Sequence, residues 1–181
     1  MEEALPLGSR GYFGWLALLV LARGSDFLST WIASPNLVLE GNPISRKLGW
    51  TWGLLVNAVL CVWLARWPLP ALILGTMSVL LASRNFQMAW AMRTNGEENY
   101  RDWFVQRLEE TPPGLFLFCL LGQTGLVAAV GGALIYASDM KELFPLGIGL
   151  GIVGYAVAVA FYTLLSLWRN RRRFYFNQYK D

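Results

Sequence analysis

The sequence predicts an all-α fold, a polytopic membrane helix bundle of five transmembrane helices with one short amphipathic interfacial helix. Of the 181 residues, 55% are hydrophobic and 15% are charged, whereas a soluble domain has about 25% charged residues. The apolar residues are gathered in five runs, each near the ~20 residues needed to cross a bilayer. Residues 1–181 are therefore expected to form a single integral membrane domain.

The limits of the spans follow from the apolar runs and from the prolines between them. The segment 67–70, Trp-Pro-Leu-Pro, separates the second span from the third, and Pro112-Pro113 opens the fourth. The second span begins at Pro43 or at Gly49. The expected spans are about 11–33, 43–65, 69–92, 114–137 and 143–168.

The longest loop between spans predicts an interfacial helix over 96–110. Its apolar face at helical spacing consists of Tyr100, Trp103, Phe104 and Leu108. Such a face is typical of a helix that lies on the membrane surface, and a partner-binding helix is the alternative. Asn95 and Glu98 resemble a capping box, while Glu97 and Arg101 are spaced to form an i,i+4 ion pair.

The basic residues predict the orientation. With the N-terminus outside, ten basic residues fall on the inner side, namely Arg46, Lys47, Arg93, Arg101, Arg107, Arg169, Arg171, Arg172, Arg173 and Lys180. Three fall on the outer side, namely Arg10, Arg66 and Lys141. This positive-inside bias predicts a bacterial inner (plasma) membrane protein with its C-terminus in the cytoplasm. The first run is expected to remain as a span, because Glu2 and Glu3 precede it and no cleavage site follows it.

Three ionisable side chains lie inside the predicted spans: Arg23, Asp26 and Arg84. A charge in a spanning helix costs about 2.5–3.5 kcal/mol, so it normally faces the protein interior and has a partner. Arg23, Asp26 and Thr30 share one helical face. We expect Asp26 to lie within salt-bridge distance of Arg23 or Arg84, which leaves one arginine in need of another anion.

Other polar residues fall at a similar depth, in the inner half of the predicted bundle. They are Asn57, Asn85, Gln87, Gln123 and Thr124. Because the outer half is almost purely apolar, this distribution predicts a polar cavity open to the cytoplasm, or a buried network near that face. The predicted ligand-binding residues are Arg23, Asp26, Thr30, Glu40, Asn42, Arg84 and Asn85.

Arg84 leaves three interpretations open: a structural ion-pair network, a side chain that snorkels to the interface, or a ligand site.

Asn42 followed by Pro43 is also a good helix start, with Asn as the N-cap, and this start does not explain Glu40. The chain carries Asp26, Thr30 and the segment 40–43, Glu-Gly-Asn-Pro. This arrangement resembles the D-x3-T … E-x-N-P pattern of a family of small, uncharacterised prokaryotic multi-span membrane proteins. The resemblance covers residues 26–43 and implies a helical membrane fold without an established reaction.

Small residues form a stripe on each of the last two spans. The stripes are Gly122, Gly125, Ala129 and Gly132 in the fourth span, and Gly147, Gly151, Gly154 and Ala158 in the fifth. Small residues let helix backbones approach closely in lipid. We predict that these two spans pack on each other along their stripes. The alternative is that one stripe faces a second copy or a partner in a membrane complex.

Composition limits the function classes. The chain has no histidine and two cysteines, so we expect no metal site and no cofactor, and no catalytic residue can be assigned. Membrane lipids are the expected partners and nucleic acid is not, because the basic residues lie in short loops. The pattern favours a non-enzymatic membrane protein whose cytoplasmic-side arginine pocket binds a small anion or lipid headgroup, or a subunit of a larger membrane complex. The alternatives are a transporter or channel component, and an intramembrane lipid-modifying enzyme using Asp26 and Glu40.

Overall fold

The computed structural model describes residues 4–139 and 142–178, and it describes side chains as far as Trp168. Some residues used in the topology prediction lie outside this part of the chain: Glu2, Glu3, Lys141 and Lys180. The same holds for the side chains of Arg169, Arg171, Arg172 and Arg173.

The described chain folds into α-helices throughout. Their bounds are α1 Arg10–Ala33, α2 Pro43–Leu64, α3 Pro68–Asn95, α4 Glu97–Glu110, α5 Pro113–Ala137 and α6 Leu143–Gln178. All except α4 are long and apolar enough to cross a membrane. The prediction of five spans and one short helix is therefore confirmed, although α3 and α6 extend beyond their predicted ends.

Local sequence explains where these helices begin. The Ser9 hydroxyl accepts the N–H of Tyr12 at 3.1 Å and caps α1. Asn42 caps α2 as predicted, because its side-chain oxygen accepts the N–H of Ile44 at 2.9 Å. Proline, which is compatible with the first turn of a helix, opens three helices at Pro43, Pro68 and Pro113.

Helix α2 is interrupted at Gly49, where φ is 67° and ψ is −173°. A side chain would strain this backbone conformation, so glycine is favoured here. Both predicted starts of the second span are thus real boundaries, since the helix begins at Pro43 and is broken at Gly49. Non-helical backbone at membrane depth is tolerated where it is buried in protein or lines a cavity, and Gly49 lines the cavity described below.

Helix α3 is the centre of the bundle. It packs against α1 on one side and against α6 on the other, and α6 in turn packs against α5. Helix α2 packs only lightly, on α1 and α3. Large apolar side chains are exposed on the outside of every long helix, as expected where the solvent is lipid; examples are Leu21, Val59, Trp90, Phe118 and Val157.

The predicted contact between the two glycine stripes was wrong. Helices α5 and α6 do pack together, but they meet at Gly131 and Gly149, where a Cβ added to Gly131 would lie 2.7 Å from the carbonyl oxygen of Gly149. The stripe on α6 faces α3 instead. A Cβ added to Gly151 would lie 2.6 Å from Cβ of Thr76 and 2.9 Å from the carbonyl oxygen of Ile73.

The stripe on α5 is exposed. It comprises Gly122, Gly125, Ala129 and Gly132. A Cβ added to any of its three glycines would meet no atom within 4 Å. The neighbouring Gly131 is turned by about 100° around the helix axis, as 3.6 residues per turn require, and this turn brings it against α6.

The two ends of the bundle differ. Where α1 and α3 begin and α2 ends, a buried apolar cluster fills the interior, made of Tyr12, Leu19, Cys61, Ala65 and Ala71. The sequence predicted that one half of the bundle would be almost purely apolar, and this cluster lies at such an end. The opposite end, where α1 and α3 end and α2 and α5 begin, carries the polar side chains.

Candidate functional site

Arg23 connects three helices. Its Nη1 donates to Oδ2 of Asp26 at 2.9 Å and to Oγ of Ser78 at 3.1 Å. Its Nε donates to Oδ1 of Asn57 at 2.8 Å, and its Nη2 donates to the same oxygen. The guanidinium also lies 5.7 Å from the ring centroid of Phe27. The ion pair with Asp26 confirms the sequence prediction, and the two side chains are 20% and 15% exposed.

A second polar bridge joins α1 to α3 nearer the end of the bundle. Nδ2 of Asn85 donates to Oγ1 of Thr30 at 3.1 Å and to Oγ of Ser29 at 3.3 Å. The Ser29 hydroxyl donates to the carbonyl oxygen of Asp26 at 2.9 Å. These bonds hold Thr30 and Asn85, both predicted site residues, beside the Arg23 network.

The loop 34–42 supplies Glu40 to the same region. Oε1 of Glu40 accepts the N–H of Asn42 at 2.7 Å. Burial raises the pKa of the Glu40 carboxyl, and the hydrogen bond from Asn42 opposes that shift. The loop is tied to α2 through Trp50, whose Nε1 donates to the carbonyl oxygen of Pro35 at 2.8 Å.

Glu97 holds α4 to this loop, although the sequence predicted that it would pair with Arg101. Its carboxylate accepts the Ser34 hydroxyl at 2.5 Å, the Asn36 side-chain amide at 2.9 Å, and the N–H groups of Asn36 and Val38 at 3.0 and 3.1 Å. Burial alone would raise the pKa of Glu97, but these hydrogen bonds outweigh it and lower the pKa below its usual value.

The predicted capping box at the start of α4 was also wrong. Asn95 is the last residue of α3, and Gly96, with φ of 80°, precedes α4 without a side-chain cap. Glu98 instead pairs with Arg101 at 2.7 Å. Asn95 is still helical, so it does not have the extended backbone that an N-cap residue requires.

These elements surround a cavity of about 960 Å³. All the predicted ligand-binding residues line it, namely Arg23, Asp26, Thr30, Glu40, Asn42, Arg84 and Asn85. Helix α2 contributes the broken turn at Gly49 as well as Asn57, and α4 contributes Tyr100, which is buried. The structure therefore brings together residues that lie on two spans and a loop.

Sequence reasoning missed the contribution of α6, which adds Tyr162, Thr163 and Ser166 to the cavity wall. These residues are isolated polar groups in an apolar helix and form no motif. Conversely, three polar residues assigned to the cluster do not line the cavity. Gln87 and Gln123 are exposed, and the Thr124 hydroxyl donates to the carbonyl oxygen of Leu120 in its own helix at 2.8 Å.

Arg84 differs from Arg23 in its surroundings. It is half-buried and lines the cavity. Among the side chains that the structure describes, no carboxylate lies within ion-pair distance of its guanidinium. The positive charge of Arg84 is therefore not neutralised by the described protein groups.

No group of three metal-binding side chains occurs in the described ranges. No protein-family model, curated protein or solved structure matches the chain. The resemblance of residues 26–43 to a family of prokaryotic membrane proteins therefore stays a prediction.

Proposed function

We propose that this integral membrane protein is non-enzymatic and that its cavity binds a small anion or a lipid headgroup at Arg84. The observation that carries this proposal is the contrast between the two intramembrane arginines. Arg23 donates to a carboxylate, an amide oxygen and a hydroxyl, whereas Arg84 faces the cavity without an ion pair in the described side chains. An unpaired charge at membrane depth is expensive, and a guanidinium binds phosphate or carboxylate through two parallel hydrogen bonds.

The proposal places the cavity on the cytoplasmic side of a bacterial inner membrane, with the N-terminus outside and the C-terminus inside. The support is the ten-to-three distribution of basic residues in the sequence. In this orientation the ends of α1 and α3, the loop 34–42 and α4 all lie at the inner surface. A headgroup of the inner leaflet would then be at the depth of Arg84.

The geometry gives less support to a lipid-modifying enzyme. That mechanism would use Asp26 and Glu40 as an acid and base. Oδ2 of Asp26 is paired with Arg23 at 2.9 Å, and Arg23 in turn is bonded to Asn57 and Ser78. A carboxylate held in this way stabilises the bundle and is poorly placed to exchange protons with a substrate.

Native mass spectrometry tests the proposal. We expect the wild-type protein, purified in mild detergent, to retain one phosphate-bearing ligand per chain, and Arg84→Gln to lose at least about nine-tenths of it, since a hydrogen bond to a charged group contributes about 1.5–3 kcal/mol. The mass distinguishes a phospholipid from free phosphate. Arg93→Gln is the matched control, because Arg93 lies on the same helix but outside the large cavity.

Equal occupancy in wild type and Arg84→Gln would refute the proposal, and so would a wild-type protein with no bound ligand. Measured turnover of a phospholipid by the wild type, abolished in Asp26→Asn, would replace the proposal with the enzyme hypothesis.

A further inference from the structure

The charged side chains that line the cavity nearly balance. The basic ones are Arg23, Arg46, Arg84 and Arg101, and the acidic ones are Asp26, Glu40 and Glu98. Two ion pairs account for four of them: Arg23 with Asp26 at 2.9 Å, and Arg101 with Glu98 at 2.7 Å. Arg46 is exposed. The half-buried charges that remain, Arg84 and Glu40, have opposite signs.

Arg84 and Glu40 line the same cavity but do not pair with each other within 4 Å. The hydrogen bond from Asn42 to Oε1 holds the Glu40 carboxylate against its own loop. The carboxylate still has free acceptor capacity, since it offers about four lone-pair sites. The cavity therefore presents a cation and an anion at separate places. A purely anionic ligand would satisfy Arg84 and be repelled by Glu40.

The wall of the cavity is also partly apolar. The apolar side chains from α4, α5 and α6 are Phe104, Val105, Leu108, Phe116, Ala158, Val159 and Leu167. Helices α2 and α6 both line the cavity, yet in the described chain they form no extensive interface with each other. An amphiphile could therefore place its headgroup inside while its acyl chains pass between α2 and α6 into the bilayer.

We propose that the ligand is a zwitterionic aminophospholipid of the phosphatidylethanolamine type, with its phosphate at Arg84 and its primary ammonium at Glu40. This inference rests on the proposed headgroup site and names the headgroup. A primary ammonium carries three N–H donors and can bond directly to a carboxylate. Phosphatidylglycerol, which lacks the ammonium, would leave the Glu40 charge without a partner in a half-buried site, and such a charge is unfavourable.

The test is a competition between two lipids. Delipidated protein is mixed with equimolar phosphatidylethanolamine and phosphatidylglycerol of the same acyl chains, and the bound ratio is read by native mass spectrometry. We expect the wild type to prefer phosphatidylethanolamine by at least about tenfold, the effect of one hydrogen bond to a charged group. Glu40→Gln should lose this preference, whereas Arg84→Gln should weaken the binding of both lipids. Glu109→Gln, an exposed change on α4 outside the cavity, should keep the wild-type ratio.

A second probe needs no variant at Glu40. N-acetylated phosphatidylethanolamine keeps the phosphate and acyl chains but lacks the ammonium, so the wild type should bind it at least about tenfold more weakly than the parent lipid, for the same reason. Equal binding of these two lipids, or an unchanged ratio in Glu40→Gln, would overturn the aminophospholipid assignment and leave the headgroup site standing. Binding of neither lipid by the wild type would overturn the aminophospholipid assignment and the headgroup form of the proposed function, and would leave only a small anion as the ligand of Arg84.

Discussion

Arg23 and Arg84 both lie inside spans, and their different surroundings give them different roles. Arg23 donates to side chains of three helices, so its removal would leave buried acceptors on each of them. Arg84 donates to no described carboxylate and faces a cavity. The first arginine joins three helices through hydrogen bonds, and the second is the one that we propose binds the ligand.

Replacing Asp26 tests the structural role of the Arg23 network. Asp26→Ala should lower the free energy of unfolding by about 3 kcal/mol, because it leaves a largely buried guanidinium without its counter-charge. The double variant Arg23→Met, Asp26→Leu should recover part of this loss, since an apolar pair removes both charges together while Asn57 and Ser78 lose their donor. Denaturant unfolding in detergent measures both.

An exposed ion pair provides the control for that experiment. Arg101 and Glu98 are 45% and 66% exposed, and Arg101→Ala should change the free energy of unfolding by less than about 1 kcal/mol. A wild-type stability for Asp26→Ala, or a double variant as unstable as the single one, would show that the network does not support the fold.

Sequence reasoning found the local contacts of the site and missed the distant ones. Arg23 and Asp26 are three residues apart on one helix, so helical geometry alone predicted their contact. Glu97 bonds to Ser34 and Val38, which lie about sixty residues earlier in the chain, and only the packing of α1 beside α3 brings them together. The same limit applies to Tyr162 on α6, whose position in the cavity follows from tertiary packing.

At the scale of the elements, the Glu97 carboxylate attaches α4 to the loop 34–42 through four hydrogen bonds. The loop presents the N–H groups of Asn36 and Val38 on either side of Leu37, which has a φ of 57°. Backbone N–H groups that converge in such a turn can bind an anion, and here they bind the Glu97 carboxylate. Gly96, with φ of 80°, joins α4 to α3.

The pKa of Glu97 predicts how this attachment depends on pH. Because the pKa is lowered in the folded state, the attachment is fully present above the ordinary pKa of a glutamate and is lost as the pH falls through the lowered value. The attachment can be followed by electron paramagnetic resonance, as the distance between a spin label on Gln106 of α4 and one on Leu55 of α2. The labels are attached to introduced cysteines, in a protein from which Cys61 and Cys119 have been removed. We expect a narrow distribution at neutral pH that broadens on acidification.

Two variants separate Glu97 from other acidic groups. Glu97→Ala should give the broad distribution at every pH, because the loop loses its acceptor. Glu98→Ala should stay narrow at neutral pH, since Glu98 pairs only with groups on α4 among the described residues. The pKa of Glu40 is raised, so protonation of Glu40 on acidification does not weaken the folded state in the way that protonation of Glu97 does. A narrow distribution for Glu97→Ala would refute this role of the carboxylate.

Glycine contacts give a second prediction at this scale. Gly151→Leu should disrupt folding by pushing α6 away from α3, and Gly149→Ala should weaken the contact of α6 with α5, because its Cβ would lie 2.7 Å from the Gly131 carbonyl oxygen. Gly122→Leu and Gly125→Leu project into open space. They should leave the thermal stability of the monomer in detergent within a few degrees of wild type, since surface changes are usually within about 0.5 kcal/mol. Equal stability losses for the two sets would contradict this packing.

Hydropathy was sufficient to predict the number of spans and most of their limits, because the bilayer thickness fixes the length of each apolar run. It was insufficient to predict which glycine face meets which helix. Gly131 and Gly132 are adjacent and chemically identical, and only the position of α6 decides that the first is buried and the second exposed. The composition of α2 likewise gave no indication that this helix packs only lightly on α1 and α3.

At the scale of the whole molecule, the bundle is apolar and filled at one end and polar with a large cavity at the other. The filled end has the cluster around Tyr12 and Leu19, and the cavity end carries Arg23, Asp26 and Arg84. Such a one-sided arrangement suits a site that is reached from one leaflet or one compartment.

The orientation of the bundle decides which compartment that is. Reporter fusions at the N-terminus, after Trp67 and at the C-terminus measure it. We expect a periplasmic signal from the first two fusions and a cytoplasmic signal from the third, because ten of the thirteen basic residues other than Arg23 and Arg84 fall on one side. A cytoplasmic signal from the N-terminal fusion would place the cavity at the outer leaflet.

An experimental density map of the protein in lipid nanodiscs tests the existence of the headgroup site most directly. We expect phosphate density within about 3 Å of the Arg84 guanidinium, the distance of a charge-assisted hydrogen bond, with acyl-chain density leaving between α2 and α6. A cavity occupied by water alone, or an Arg84 side chain that extends to the membrane surface instead of the cavity, would contradict the headgroup site.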